Sequence, residues 1–312
     1  MKILIGTRGS QLALAQAGQV LNQMARLLPA AELHLEVIKT MGDGLSAPGA
    51  NPAPLEDPPQ GIFTKELDEA LLSGRIRGAI HSLKDVPTLL PPGIEYGAFL
   101  PREDPRDAFI SKTGKTFYEL PAGSRIGTSS PRREAQIRGN RSDLKVVPLR
   151  GNVDTRLKKL AEGEVEAIVI AAAGLKRLGR EREATEWLSP EIMLPAPAQG
   201  VLCVTLRRDD HDFINALRIL DHAPTRICAG AERSFLRTLQ GGCRIPVGAL
   251  ASIDGETLVL AGVIANPNGE QVMRDSLKGS PDHPEVLGDT LAKIFLNHGA
   301  QEILDGFGRS SW

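Results

Sequence analysis

The sequence predicts an α/β protein of several domains: two α/β domains followed by a smaller α+β domain. Three observations carry this. At 312 residues the chain exceeds one ordinary core and suits two or three domains of about 100–150 residues each. Up to about residue 195, short apolar runs alternate with segments of helical spacing, the pattern of a mostly parallel sheet covered by helices. From about residue 218 the alternation gives way to one helix, a group of strands and a last helix.

Taken in order, "KILIG" is a short apolar strand, and "SQLALAQAGQVLNQMARLL" has a serine N-cap followed by apolar residues at helical spacing. "LHLEVIKT" alternates as a strand, "TKELDEALLSG" is a helix closed by Gly74, and "GAIHSL" is a buried strand. Residues 42–61, "GDGLSAPGANPAPLEDPPQG", are too rich in Pro, Gly and Asp for regular structure and read as a surface insertion or a functional lid. The alternation resumes with "DAFIS" (strand), "SRIGTSS" (strand and turn), "PRREAQIRG" (helix), "LKVVPLRG" (strand), "NVDTRLKKLAEG" (helix) and "VEAIVIAAAG" (strand). A second α/β domain closes near "LPAPAQG", whose prolines and glycine suggest a hinge. The third domain opens with the helix "TRICAGAERSFLRTLQGG", continues through strands in "VGALASI", "TLVLAGVIANPNG" and "QVMRDSLKG", and ends with the helix "PEVLGDTLAKIFLNHGAQEIL". The "NPNG" turn between two alternating runs reads as a hairpin.

Composition excludes several function classes. Lys plus Arg (37) nearly balance Asp plus Glu (38), so no global field draws the chain to nucleic acid or an anionic membrane. No apolar stretch reaches the roughly 20 residues that span a bilayer, and "MKILIGTRGSQLALAQAG" is no signal-peptide core; a cytoplasmic protein is expected. Three cysteines without C-x-x-C spacing predict neither a disulfide framework nor a zinc site. Cys243 stands apart from the other two. It follows two glycines in "LQGGCRIP", where it is presented rather than packed, unlike Cys203 in "GVLCVTL".

The cations cluster instead at the ends of strands. Arg8 follows the first strand and Lys84 ends "GAIHSL". Arg132 and Arg133 open the helix after "GTSSP", Arg150 and Arg156 flank "RGNVDTR", and Arg177 follows "VEAIVIAAAG". Ligands of open α/β sheets bind beyond the carboxyl ends of strands, so these residues are expected to line a crevice between two domains. Each taken singly could equally be a solvated or ion-paired surface charge. "GTRGSQ" and "GTSSPRRE" both follow a strand, open a helix and offer hydroxyls and amides to an anion. Asp85 is the one carboxylate in the group. Pro87 pushes Val86 into an extended conformation, which places Lys84 and Asp85 on a turn. There Asp85 either caps the turn or, ionised among cations, stabilises a developing cation or moves a proton. His81 reads as a structural histidine. No phosphate-loop, dinucleotide or zinc-protease motif is present, so the ligand is expected to be polyanionic without being a nucleotide.

Together "IGTRGSQLALAQ", "IHSLKDVPT", "REDPRDAF", "GTSSPRREAQ", "LRGNVDTRL", "AAAGLKRLG", "LPAPAQG" and "ERSFLRTLQGGCRIPVG" resemble, in order and approximate spacing, the porphobilinogen deaminase (hydroxymethylbilane synthase) family over essentially the whole chain. The resemblance implies stepwise head-to-tail condensation of four porphobilinogens, with loss of ammonia, to hydroxymethylbilane for tetrapyrrole synthesis. It implies a dipyrromethane cofactor held by a thioether to Cys243. Lys84, Ser129, Arg132, Arg133 and Arg156 would hold cofactor carboxylates with Thr128 in support, and Arg8, Ser10, Arg150 and Arg177 the substrate or growing chain. Asp85 would stabilise the azafulvene-type cation left by ammonia loss.

The implied fold is two similar α/β domains with a cleft between them, like type II periplasmic binding proteins, plus the α+β domain carrying the cysteine. The domains would be 1–100 with 196–217, 101–195 and 218–312. A monomer that hands its product to the next pathway enzyme is expected, with no nucleic-acid or membrane partner. Two departures stand out: Pro59, Gln60 and Gly61 occupy a segment where the family has Gly-Lys-Gly, and Thr205 stands where a glutamate is common. The competing readings are a non-enzymatic two-lobed binding protein for a small anion, which leaves Cys243 unexplained, and a family member that has lost turnover.

Overall fold

The computed structural model describes residues 2–45, 61–239 and 245–309. The chain begins with β1 (Lys2–Thr7), α1 (Gln11–Leu27), β2 (Glu32–Val37), α2 (Met41–Leu45), α3 (Lys65–Leu72), β3 (Gly78–Ser82) and β4 (Ile94–Phe99). It continues with β5 (Asp107–Ser111), β6 (Arg125–Gly127), α4 (Pro131–Asn140), β7 (Lys145–Val147), α5 (Val153–Glu162), β8 (Ala167–Ala171), α6 (Ala172–Arg177) and β9 (Glu186–Leu188). The last third holds β10 (Leu202–Arg207), α7 (His211–Leu217), α8 (Ala223–Thr238), β11 (Val247–Asp254), β12 (Thr257–Ala265), β13 (Val272–Gly279), α9 (Pro284–Asn297) and α10 (Ala300–Arg309). Two compact units result: Met1–Glu103 with Gly200–Arg226, and Asp104–Gln199 with Ile227–Trp312.

The first unit contains a five-stranded sheet of order β2-β1-β3-β10-β4. β1 pairs parallel with β2 and β3, while β10 runs antiparallel to both β3 and β4. Four of its five strands therefore share one direction. Alternation along each strand feeds two cores. Ile3, Ile5 and Ile80 meet Ala17, Val20 and Met24 of α1 on one face. Ala79 and Leu4 meet Leu67, Ala70 and Leu71 of α3 on the other. α1 begins where expected: the Ser10 hydroxyl accepts the Ala13 N–H.

The second five-stranded sheet, β7-β6-β8-β5-β9, follows the same plan. β6 pairs parallel with β7 and β8, and β5 runs antiparallel to β8 and β9. Phe109, Ile126 and Val169 pack with Ile137 of α4 on one face, and Ala108, Ile110, Ile168 and Ile170 pack with Leu157 and Leu160 of α5 on the other. The same unit holds an antiparallel three-stranded sheet, β11-β12-β13, with α8 and α9 on one face. Phe235 of α8 meets Phe295 of α9 edge to face, their centroids 5.4 Å apart. Gly262 makes room for it, since a Cβ there would lie 2.7 Å from the Phe235 ring.

Three expectations need correction. The run "VEAIVIAAAG" is not one strand: β8 stops at Ala171 and Ala172–Arg177 is helical, because consecutive alanines favour helix once the edge of the sheet is passed. The C-terminal helix is two helices, broken at Gly299, whose φ of 93° no right-handed helix accommodates. Within the stretch 42–61, the residues up to Leu45 belong to α2, and 46–60 lie outside the described residues. Lys84 and Asp85 do lie on a turn, a single 3₁₀ turn begun by Leu83, and Val86 after it is extended (φ −87°, ψ 129°), as Pro87 requires. The hairpin at "NPNG" is present: Gly269 has φ 73°, and Asn266 donates its N–H to Gln271 O.

Candidate functional site

In the first unit, the β1–α1 turn and the end of β3 bring Arg8 and Asp85 to one recess, which Gln16, Phe63, His81 and Ser82 help to line. At about 20 Å³ it admits a water-sized molecule. Arg8 is held on two sides. Its Nη2 lies 2.6 Å from Asp43 Oδ1, and its guanidinium carbon lies 4.2 Å from the centre of the Phe63 ring. The second Asp43 oxygen accepts the Thr40 hydroxyl at 2.9 Å and the Thr40 N–H at 3.2 Å. Burial works to raise the Asp43 pKa, but the Arg8 hydrogen bond and charge and the Thr40 donors outweigh it and lower it. Ser10 spends its hydroxyl on the α1 cap, 3.2 Å from the Ala13 N.

Lys84 and Asp85 share the 3₁₀ turn that follows β3. His81, just before it, is buried, with Nε2 3.0 Å from the hydroxyl of Thr205 on β10. Burial, reinforced by the Arg8 charge, lowers its pKa to about 4. It is therefore a neutral, hydrogen-bonded histidine at neutral pH, in keeping with its structural reading. The departure at Thr205 is fully buried and supplies that partner.

In the second unit, the β6–α4 turn gathers Thr128, Ser129, Arg132 and Arg133. The N-cap of α4 is Ser130, whose hydroxyl accepts the Arg133 N–H, with Pro131 opening the helix. Thr128 is buried and its hydroxyl accepts the Ser130 N–H at 3.2 Å; exposed Ser129 accepts the Leu149 N–H at 3.1 Å. Arg132 and Arg133 point inward. Both reach the fully buried carboxylate of Asp107, Arg132 Nη1 at 2.8 Å from Oδ2 and Arg133 Nη2 at 2.7 Å from Oδ1. Arg132 also donates to Leu194 O, Arg133 to Val169 O, and Gln199 Nε2 to Asp107 Oδ1 at 2.9 Å. Burial would raise the Asp107 pKa, yet the two guanidinium charges hold it far below the usual carboxylate range. Burial pulls Arg132 the other way, below the usual arginine value, with Asp107 opposing.

Arg156, in the first turn of α5, donates Nε to Gly151 O at 2.8 Å. Burial and then the charge of Arg133 push its pKa down to about 10. Arg132, Arg133 and Arg156 thus form one electrostatic group with a single internal carboxylate; among the described residues no second acid pairs with them. Such a group favours an external polyanion. Arg150 is exposed ahead of α5, and Arg177 is half-buried at the end of α6. Cys243 and Gln60 lie outside the described residues.

Sequence reasoning missed Asp43, Phe63 and Asp107 as partners of the cations. Asp107 had a readable signal, an aspartate heading the otherwise apolar "DAFIS" strand; Asp43 and Phe63 had none.

The model of the porphobilinogen deaminase dipyromethane cofactor binding domain matches residues 3–215, and that of the porphobilinogen deaminase C-terminal domain matches residues 226–297. The chain belongs to the porphobilinogen deaminase family. The porphobilinogen deaminase of Syntrophobacter fumaroxidans (strain DSM 10017 / MPOB) is 46% identical over 83% of this chain and 82% of its own. That of Desulfitobacterium hafniense (strain DSM 10664 / DCB-2) is 49% identical over 83% and 82%. That of Carboxydothermus hydrogenoformans (strain ATCC BAA-161 / DSM 6008 / Z-2901) is 43% identical over 99% and 98%. Membership makes this an enzyme of tetrapyrrole synthesis with a dipyrromethane-binding domain. The residues present fit such a group: its acetate and propionate carboxylates match a buried arginine cluster in which cations outnumber acids. No described helix is long and apolar enough to cross a membrane.

Proposed function

We propose that the chain condenses four porphobilinogens head to tail on a dipyrromethane primer joined by a thioether to Cys243, and releases hydroxymethylbilane. The observation that carries this reading is the arginine group inside the matched cofactor-binding domain: Arg132 and Arg133 converge on Asp107, the charge of Arg133 reaches Arg156, and among the described residues no second acid pairs with the three. When bound, the primer supplies a free pyrrole carbon as the growing point. Each addition forms one carbon–carbon bond to the incoming aminomethyl carbon, expels ammonia and removes one ring proton.

The chain's own residues bind, orient and compensate charge. Lys84, Ser129, Arg132, Arg133 and Arg156 hold primer carboxylates, with Thr128 fixing the turn. Arg8, Ser10, Arg150 and Arg177 hold the incoming unit or growing chain. Arg8 does so from a position already set by Phe63 and Asp43. Asp85, beside Arg8 in the recess, faces the positive charge that develops as ammonia leaves. A carboxylate about 4 Å from a unit cation stabilises it by about 4 kcal/mol at an effective dielectric near 20. Realised mainly in the transition state, that is about a thousandfold in rate. The enzyme works as a cytoplasmic monomer and passes its product to the next enzyme of the pathway.

The test is stoichiometry. Purified protein incubated with porphobilinogen is expected to release four ammonia molecules per linear tetrapyrrole formed. Porphobilinogen binding without ammonia release contradicts the reading and favours a binding protein.

A further inference from the structure

Asp107 holds no ligand in the roles assigned above, yet it is a fully buried carboxylate of the second unit on which two arginines converge. It heads β5, is wholly buried, and meets two guanidinium groups and the Gln199 amide within 2.9 Å. The two arginines are adjacent in the first turn of α4, where nothing in the helix itself holds their side chains parallel. Their backbone acceptors, Leu194 O and Val169 O, lie on different segments. Among the described residues, the Asp107 carboxylate is the one group that both meet.

We infer that Asp107 is the positioning residue of the anion site: it aligns Arg132 and Arg133 on one carboxylate and cancels one of their two charges, so that the pair presents one net positive charge. This rests on the reading that these arginines hold primer carboxylates. Charge balance gives it content. With two uncancelled charges beside Arg156, three cations would crowd a poorly solvated space and repel one another before any ligand arrived. With Asp107 in place, the cluster is tuned to an external carboxylate rather than collapsed or splayed.

The role depends on charge, which separates it from simple packing. Asp107→Asn keeps the volume and removes the charge; Asp107→Glu keeps the charge and adds a methylene to a full site. The experiment compares the denatured intact mass of wild type, D107N and D107E, each taken from its folded, monodisperse fraction. The expected result is a dipyrromethane-loaded fraction about tenfold lower in D107N, with D107E within about threefold of wild type. Loading of D107N equal to wild type, or D107N loading better than D107E, overturns the inference. If D107N does not fold, D107E decides alone: folded and loaded supports a charge role, folded and bare contradicts it.

Stabilisation by porphobilinogen, followed as a shift in thermal midpoint of the same proteins, keeps the two readings apart. A wild type that bears no adduct but shifts with porphobilinogen contradicts the tether and not Asp107. The inference then stands if D107N loses the shift and falls if D107N keeps it. A wild type with neither adduct nor shift contradicts both.

Discussion

At the residue scale, the arginines at the strand ends do not act as bare charges. Arg8 is set between a carboxylate and an aromatic face, and Arg132 and Arg133 converge on one buried aspartate. An unaligned arginine loses rotamer freedom when it grips a ligand, and a preset one loses less. Asp85 differs, sharing its recess with Arg8 without a tight internal ion pair among the described residues. Asp85→Asn keeps shape and hydrogen bonding but removes charge. It is expected to leave the primer attached and to lower turnover by about a hundredfold or more, measured as steady-state ammonia release; turnover within about twofold of wild type removes Asp85 from the chemistry. The cations were legible in the sequence because strand ends in α/β folds are where ligands bind. Their internal partners were not, since Asp43 lies 35 positions from Arg8 and Asp107 lies 26 positions from Arg133. Only tertiary structure closes such distances.

At the element scale, local rules place most of the helices and strands. Ser10, Ser130 and Asn152 each cap the helix that follows, and Gly163 closes α5 in the left-handed region. The misplaced boundaries share a cause. "VEAIVIAAAG" and the C-terminal run are continuous in hydrophobicity, and what divides them is where a sheet ends or a glycine turns, which periodicity does not register. The β12–β13 hairpin shows a further contact invisible to local pattern. Gly269 at its tip approaches α4 so closely that a Cβ would lie 2.5 Å from Gly139 N and 2.6 Å from Ala135 O, while Arg274 of β13 donates to Pro190 O. Gly269→Ala meets both a backbone clash and a φ of 73°. It is expected to destabilise by about 2–4 kcal/mol in denaturant unfolding. An unchanged midpoint would mean that the hairpin does not dock on α4 in solution.

At the scale of the whole molecule, two buried titrations act in opposite senses below neutral pH. His81, lowered by burial to about 4 from an ordinary 6.5, stays neutral while the unfolded chain takes up a proton, so it costs stability as pH falls from 6.5 to 4. Fully expressed, that is about 3 kcal/mol. Asp68 is raised by burial to about 6 from 3.8, so the folded state takes up its proton first and gains stability as pH falls from 6 to 3.8. Their windows overlap and their signs cancel. Unfolding midpoints between pH 6.5 and 4 are expected to drop more steeply in Asp68→Asn than in wild type and less steeply in His81→Gln. Identical slopes in all three proteins contradict the burial of these groups. The plan of two like α/β sheets followed by an α+β sheet was readable from the alternation of segments. The place of β10 in the first sheet was not readable from local pattern, because a strand's partners depend on the path of the chain and not on its own residues.

The central claim is that this chain builds its product on a primer attached to Cys243. The most direct test is the denatured intact mass of wild type and Cys243→Ser, with peptide mapping of the segment around residue 243 and a repeat after porphobilinogen is added. The account predicts a dipyrromethane-sized covalent addition on Cys243 that grows by whole pyrrole units with substrate and is absent from C243S. An unmodified wild type, even after reconstitution with porphobilinogen or preformed product, would contradict it, as would the same adduct in C243S.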